Sequence, residues 1–186
     1  MEQPMNLKTR RIPRVLRALI AVAIVAVPAH RVHAIKAGGF SLTSPAFPSN
    51  GAIPPQYSCR GANESPPLIW HDPPTGAIAF ALIVRDPDAP TGDFIHWVVI
   101  DIPGEARELK AGVRRGGPPA QGTNSFGRVG YDGPCPPPGP VHHYHFQLMA
   151  LDAKLGLASG ATAAEVEAQA ARHRLGSSEM VGQFSR

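Results

Sequence analysis

Ala79-Phe80-Ala81-Leu82-Ile83-Val84 and Val98-Val99-Ile100-Asp101-Ile102 bracket a polar stretch, Asp86-Pro87-Asp88-Ala89-Pro90-Thr91-Gly92-Asp93-Phe94-Ile95-His96-Trp97. The flanking runs are of strand length and rich in β-branched or aromatic residues, so they read as buried strands joined by a polar loop. Pro87 and Pro90 fix φ, bias Asp86 and Ala89 toward extended backbone and remove two amide donors, which stiffens the loop. A stiff loop at strand ends is a favourable place for a binding or catalytic site.

Val141 to Leu151 is a third strand by the same criteria. Its alternation puts His142, Tyr144, Phe146, Leu148 and Ala150 on one face and His143, His145, Gln147, Met149 and Leu151 on the other. The same rule puts His96, Val98, Ile100 and Ile102 on one face of the preceding strand, with Trp97, Val99 and Asp101 opposite. Each strand thus starts with a histidine on a face that continues into core. If the strands lie near each other with matching polarity, His96, His142 and Tyr144 converge on a pocket rim.

Toward the amino end, Lys8, Arg10, Arg11, Arg14 and Arg17 precede an apolar segment from Ala18 to Ala29, and Val32-His33-Ala34 offers small residues at cleavage spacing. Residues 1–34 therefore read as a secretory signal peptide, with the Sec and twin-arginine routes both open at Arg10-Arg11. The apolar segment is shorter than the roughly 20 residues of a bilayer-spanning helix, so no stable membrane span is expected after cleavage. Residues 1–34 hold six of the 18 basic and one of the 14 acidic residues, leaving 12 and 13 in residues 35–186, a net of −1 with histidine neutral. The basic character belongs to the leader, and nucleic-acid binding loses its support. Cys59 and Cys135 are the only cysteines; in an oxidising compartment they suit one disulfide, the alternative being two free thiols.

Residues 35–78 and 103–140 are rich in Pro, Gly, Ser and Asn, which fits short strands and ordered loops better than helix. Thr162-Ala163-Ala164-Glu165 is a capping box that predicts a helix of about three turns running to Arg174 and stopped by Leu175-Gly176. Met180 to Phe184 reads as a last short strand. With no repeat and no second composition regime, residues 35–186 are expected to form a single domain.

Asp86, Asp88 and His96 suit acid/base chemistry, metal ligation or simple turn formation, since Asp before Pro often bonds local backbone. His142-x-Tyr144 on one face adds donors suited to an oxyanion, and a nearby carboxylate would favour the charged imidazole. A carboxylate would also repel a fully ionised phosphate unless a proton lies between them, so binding should depend on pH. No metal site is expected, because His143 and His145 face away from His142 and no HExxH accompanies them. Neither GxSxG, P-loop nor Rossmann fingerprint is present, so no serine has a nucleophile context and no cofactor is expected.

Asp86-Pro87-Asp88-Ala89-Pro90, His96-Trp97, Gly130-Tyr131-Asp132-Gly133-Pro134-Cys135-Pro136-Pro137 and His142-His143-Tyr144 occur in that order. Together with Ser65-Pro66-Pro67-Leu68 and Glu179-Met180-Val181-Gly182, the set resembles the phosphatidylethanolamine-binding protein family, also called Raf kinase inhibitor-like, in its bacterial and archaeal branch. The resemblance implies a mainly β fold, an antiparallel β-sandwich-like core with a few peripheral helices, including one near the C-terminus. It implies a small anion pocket in which Asp86, Pro90, His96, His142 and Tyr144 contact the ligand and Pro136 and Pro137 form a wall. It also implies a cis peptide at Ala89-Pro90. His143 stands where many relatives carry arginine.

The expectation is an exported, non-catalytic protein that binds phosphate or phosphoethanolamine and modulates or inhibits a protein partner. Alternatives are a hydrolase or lyase using the same Asp, His and Tyr groups, and a protease-inhibitor or signalling module acting through its surface.

Overall fold

The computed structural model describes residues 39–186. The leader expected at residues 1–34, and the expected domain start at residue 35, lie outside the described residues. Strands β1 (Ser41–Thr43), β3 (Leu68–His71) and β6 (Glu108–Leu109) form a small antiparallel sheet in the order β1-β3-β6. A six-stranded sheet packs over it, built from β2 (Gly51–Ala52), β4 (Ala79–Asp86), β5 (Phe94–Pro103), β7 (Ala120–Gln121), β8 (His142–Leu151) and β9 (Arg174–Phe184) in the order β2-β9-β8-β4-β5-β7. All its pairings are antiparallel except β2 with β9. The expected mainly β, two-sheet architecture is present, with one short α-helix, α1 (Ala163–Ala170), and a 3-10 turn at Pro55–Tyr57.

β4 is apolar at nearly every position because both its faces are covered. Phe80, Leu82 and Val84 pack with Tyr144, Phe146 and Leu148 of β8 and with Trp70 of β3 between the sheets. Ala81 and Ile83 pack with Val98, Ile100 and Met149 under Ala163, Val166 and Ala170 of α1. Each buried Val, Leu, Ile, Phe or Met among them contributes about 1.5–3 kcal/mol relative to exposure.

β8 alternates as its sequence predicts; β5 does not. Opposite β4 its register skips twice, between Phe80 and Leu82 and between Val84 and Arg85. Asp101 falls in the first skip with φ of 53°, its carboxylate capping the amides of Leu155 and Gly156 at 2.7 and 3.0 Å. The strand therefore changes phase, and Trp97, Val99 and Ile102 face the small sheet while Val98 and Ile100 face α1. The expected single face of His96, Val98, Ile100 and Ile102 is thus split. The second skip decides the site: Val84 pairs with Trp97 and Arg85 with Ile95, leaving His96 as the extra residue of a β-bulge. A bulge re-aims one side chain without breaking the strand.

The capping box is formed as expected, with Thr162 and Glu165 bonding reciprocally. The helix ends at Ala170, four residues before the predicted Arg174. Its last turn tightens, Arg172 N–H donating to Gln169 and His173 N–H to Ala170. The chain then pairs with β8 from Arg174 onward. β9 consequently runs eleven residues from Arg174 to Phe184, not only from Met180.

Candidate functional site

β4 lies between β5 and β8 and runs antiparallel to both, so its C-terminal end meets the N-terminal ends of its neighbours. Asp86 closes β4, His142 and Tyr144 open β8, and the bulge at His96 turns that imidazole to the same place. A cavity of about 270 Å³ forms there, lined by all four together with Pro90, Pro136 and Pro137. The seven ligand contacts implied by the resemblance therefore lie on one cavity, whereas Asp88, the other candidate carboxylate, lies outside its lining and bonds to His143. The sequence reading missed the rest of its lining, apolar Ala89, Phe94 and Phe126 and polar Thr91, and the presence of Cys135 in its wall. Phe94 was accessible by alternation, two residues before His96; Phe126 lies in a Ser/Gly loop with no pattern to mark it.

Asp86 is 3% exposed and its two oxygens are used differently. Oδ1 accepts the Asp88 amide at 2.9 Å, a local turn before Pro90, and Oδ2 accepts Nδ1–H of His142 at 2.7 Å. His96, also 3% exposed, sits 2.7 Å through Nδ1 from the backbone oxygen of Asp132. A carbonyl only accepts, so Nδ1 carries the proton and Nε2 is left to the cavity. Burial pulls the His96 pKa below its ordinary value, outweighing the Asp132 carbonyl and the Asp86 charge, which act the other way. The imidazole is therefore neutral at pH 7. Its ring packs edge-on against Tyr144, centroids 5.1 Å apart, and beside Phe94 and Phe126. The Tyr144 hydroxyl is buried beside the Asp86 carboxylate without a hydrogen bond of full geometry. Burial, then the proximity of Asp86, pushes its pKa up, so the phenol stays protonated and has a proton to donate.

Asp132 positions His96. Its backbone N–H donates to the His96 carbonyl at 3.0 Å while its own carbonyl receives the imidazole. Its side chain, 2% exposed, is held by Asn63, Arg115, Asn124 and Arg128, each at 2.7–3.1 Å. Burial alone would raise this carboxyl; bonds from Arg115, Asn124 and Asn63 prevail and hold it below the usual range.

The Pro136-Pro137 wall is anchored behind. Cys135 is joined to Cys59 by a disulfide, the first of the two readings of these cysteines. Cys59 N–H donates to Pro134 at 3.1 Å and Tyr131 OH to Tyr57 at 2.6 Å. A Cβ at Gly133 would overlap the Tyr57 carbonyl oxygen, so glycine is what lets the strands of chain approach.

The expected cis bond at Ala89-Pro90 is not present; among the described residues the cis peptide is Pro118-Pro119. Gly92 N–H donates to Ala89 at 2.9 Å, which makes Pro90 the second residue of a tight turn, where a trans proline fits and a cis one would sit a place later. His143 and His145 point away from the cavity, as their alternation predicts, and bond to Asp88 and Glu179. Among the described residues no cluster suits a metal ion, and no helix is long and apolar enough to cross a membrane.

Fold and cavity together define a two-sheet β protein with a half-buried pocket of imidazoles, a carboxylate and a phenol. The family model described as phosphatidylethanolamine-binding protein matches residues 43–185. An Aquifex aeolicus protein called UPF0098 is 43% identical over 163 residues, covering 81% of this chain and 92% of that one. LppC of Mycobacterium tuberculosis, described as a candidate lipoprotein, is 42% identical over 146 residues, covering 77% and 71%. The crystal structure of E. coli YbcL, described as a member of the mammalian PEBP family, superimposes with a TM-score of 0.75 at 31% identity, over 80% of this chain and 99% of that one. The chain belongs to the phosphatidylethanolamine-binding protein family, among its bacterial and archaeal members.

Proposed function

We propose that this chain is an exported binding protein for a small phosphate-like anion, whose occupancy is read by a protein partner at the pocket rim. The observation that carries the reading is the cavity itself, where the buried Tyr144 hydroxyl converges with His96, His142 and Asp86. A ligand oxygen there meets a phenol that keeps its proton and two imidazoles. Export is supported by the basic and apolar leader, the disulfide and the candidate lipoprotein among the relatives. Exposed Phe126 on the cavity lining gives a partner an apolar foothold. Following the His96 and His142 ring resonances by NMR during a phosphate titration tests the reading: both should shift and saturate, and rings that stay put would sink it.

One observation favours a second reading, acid/base catalysis. Asp86 fixes the His142 ring through Nδ1 and leaves Nε2 toward the cavity, the arrangement of an oriented base. Turnover of a phosphoester panel that disappears in His142→Ala would support catalysis; no turnover by the wild type would leave binding alone.

A further inference from the structure

One wall of the cavity is held unevenly. Cys135, Pro136 and Pro137 line it, and the run from Cys135 to Val141 also contains Pro138 and Pro140, so most of its residues bring no amide donor. Among the described residues no backbone hydrogen bond outside the strands and the helix reaches any residue of this run. Its firm attachments are at its two ends. Beyond Val141 the chain enters β8, where His142 pairs with Phe184. At the other end the disulfide from Cys135 to Cys59 does the holding, because the other ties between these two loops fall ahead of Cys135. They are Tyr131 OH to the Tyr57 carbonyl at 2.6 Å, Gly133 N–H to Asn63 Oδ1 at 2.8 Å and Cys59 N–H to the Pro134 carbonyl at 3.1 Å. Cys59 is exposed, whereas Cys135 is half-buried in the wall.

We infer that the Cys59–Cys135 bond is a redox latch on the cavity wall: a dithiol opens it by attack at exposed Cys59, the run from Cys135 to Val141 comes free, and the cavity weakens its hold on an anion. The loss of affinity rests on the anion-binding reading above; the attack and the release do not. A thiolate of the dithiol attacks Sγ of Cys59, a mixed disulfide forms as the Cys59–Cys135 bond breaks, and Cys135 leaves as a thiolate and takes a proton. The second thiol of the reductant, as thiolate, attacks the reductant sulfur of the mixed disulfide and expels Cys59, which is protonated in turn. The dithiol ends as a disulfide, and the protein has gained two electrons and two protons.

Opening is local. Asp132 lies ahead of the break, so its carbonyl stays on Nδ1 of His96 while Asn63, Arg115, Asn124 and Arg128 keep its side chain. The Asp86–His142 pair is likewise untouched. What changes is one wall: an anion entering the reduced protein must reorder the freed run, whose conformational freedom opposes binding.

The test compares the purified protein, oxidised and after dithiothreitol, with the double variant Cys59→Ser, Cys135→Ser, by amide NMR and by calorimetric titration with inorganic phosphate. Dithiothreitol should reduce the bond while the Trp97 indole N–H, bonded to buried Gln121, keeps its resonance and so reports an intact core. The Gly139 and Val141 amides should move to random-coil positions. Phosphate affinity should fall at least about fivefold, the equivalent of refixing a single backbone residue, and recover on reoxidation. The double variant should show free amides and weak binding with or without dithiothreitol. Reduction that leaves the Gly139 and Val141 amides in place overturns the inference, as does reduction that proceeds only with loss of the Trp97 resonance, or a phosphate affinity equal in the two redox states. Oxidised protein that binds no phosphate overturns the pocket reading instead, and the amide shifts then decide the latch by themselves.

Discussion

Two Asp–His pairs stand almost side by side across β4 and β8 and have opposite meanings. Asp86 and His142 meet at 2.7 Å with side chains 4% exposed each; Asp88 and His143 meet at 2.8 Å with side chains 42% and 44% exposed. Residue types are the same, the distances nearly so, and both histidines stand on β8. What differs is the face of the strand, because successive side chains on β8 point to opposite sides. Inside, water cannot replace a lost partner, so the pair dictates where a proton sits. Outside, water can, and the pair does no more than tie the loop after β4 to β8, with His143 donating to Asp88 through backbone and ring. The Asp88 carboxyl is held below its usual range chiefly by that ring bond.

Cutting the inner pair should have the largest effect. Asp86→Ala strands a buried imidazole N–H and frees the Asp88 amide, and should cost about 4 kcal/mol in urea unfolding, as for other buried pairs broken on one side. Phosphate binding should vanish with it. Next, replacing Cys59 and Cys135 together by alanine removes a cross-link across 76 residues and should cost about 3 kcal/mol. The inner pair lines the same cavity as the wall that carries Cys135, so anion affinity should fall while the His143 resonances stay in place.

A smaller effect concerns pH. Because burial holds His96 below its ordinary value, the unfolded chain takes up a proton near pH 6.5 that the folded chain refuses. Stability from this group is complete above about pH 6.5 and is lost as pH falls toward the folded value, at no more than about 1.4 kcal/mol per pH unit. Melting temperatures from pH 7 to pH 5 should drop more steeply for the wild type than for His96→Gln. Asp132 and Asp88, with depressed folded values, lose their contributions only below about pH 4, outside that window. Smallest of all, Asp88→Ala should change stability by less than about 1 kcal/mol, diminish further in high salt, and leave phosphate binding intact. A loss as large as that of Asp86→Ala would erase the distinction between the pairs.

The division between the pairs was legible in the sequence through β8, where an unbroken alternation from His142 to Leu151 separates inner from outer histidines. It was not legible on β5. A bulge depends on which residues of the partner strand are opposed, and nothing in Ile95-His96-Trp97 records that Val84 and Arg85 will skip one position. His96 reached the predicted pocket by a route that simple alternation does not describe. The helix was read too long because Ala171-Arg172-His173 has no breaker, and the chain leaves α1 to satisfy the β8 edge instead. The start of β9 was missed because Gly176, Ser177 and Ser178 have low strand propensity and are ordered by pairing with Ala150, Met149 and Leu148. Asp132 was quoted as part of a motif, but its clamp is assembled from Asn124 and Arg128 of its own loop and from Asn63 and Arg115 of two others.

The place of β9 has a kinetic consequence. It completes the sheet twice over, shielding the whole length of β8 and holding the segment around Ser49, 132 residues earlier, in parallel with its own end. Rungs between such distant segments form late, since the loop must close before they can reward it. Until Arg174–Phe184 has emerged from the ribosome, the amides and carbonyls of β8 form an open ribbon that any neighbouring chain can join. A nascent chain of this topology carries an unpaired β8 edge until nearly all of it has been made, and its hazard on the way is aggregation at the strand that holds His142 and Tyr144.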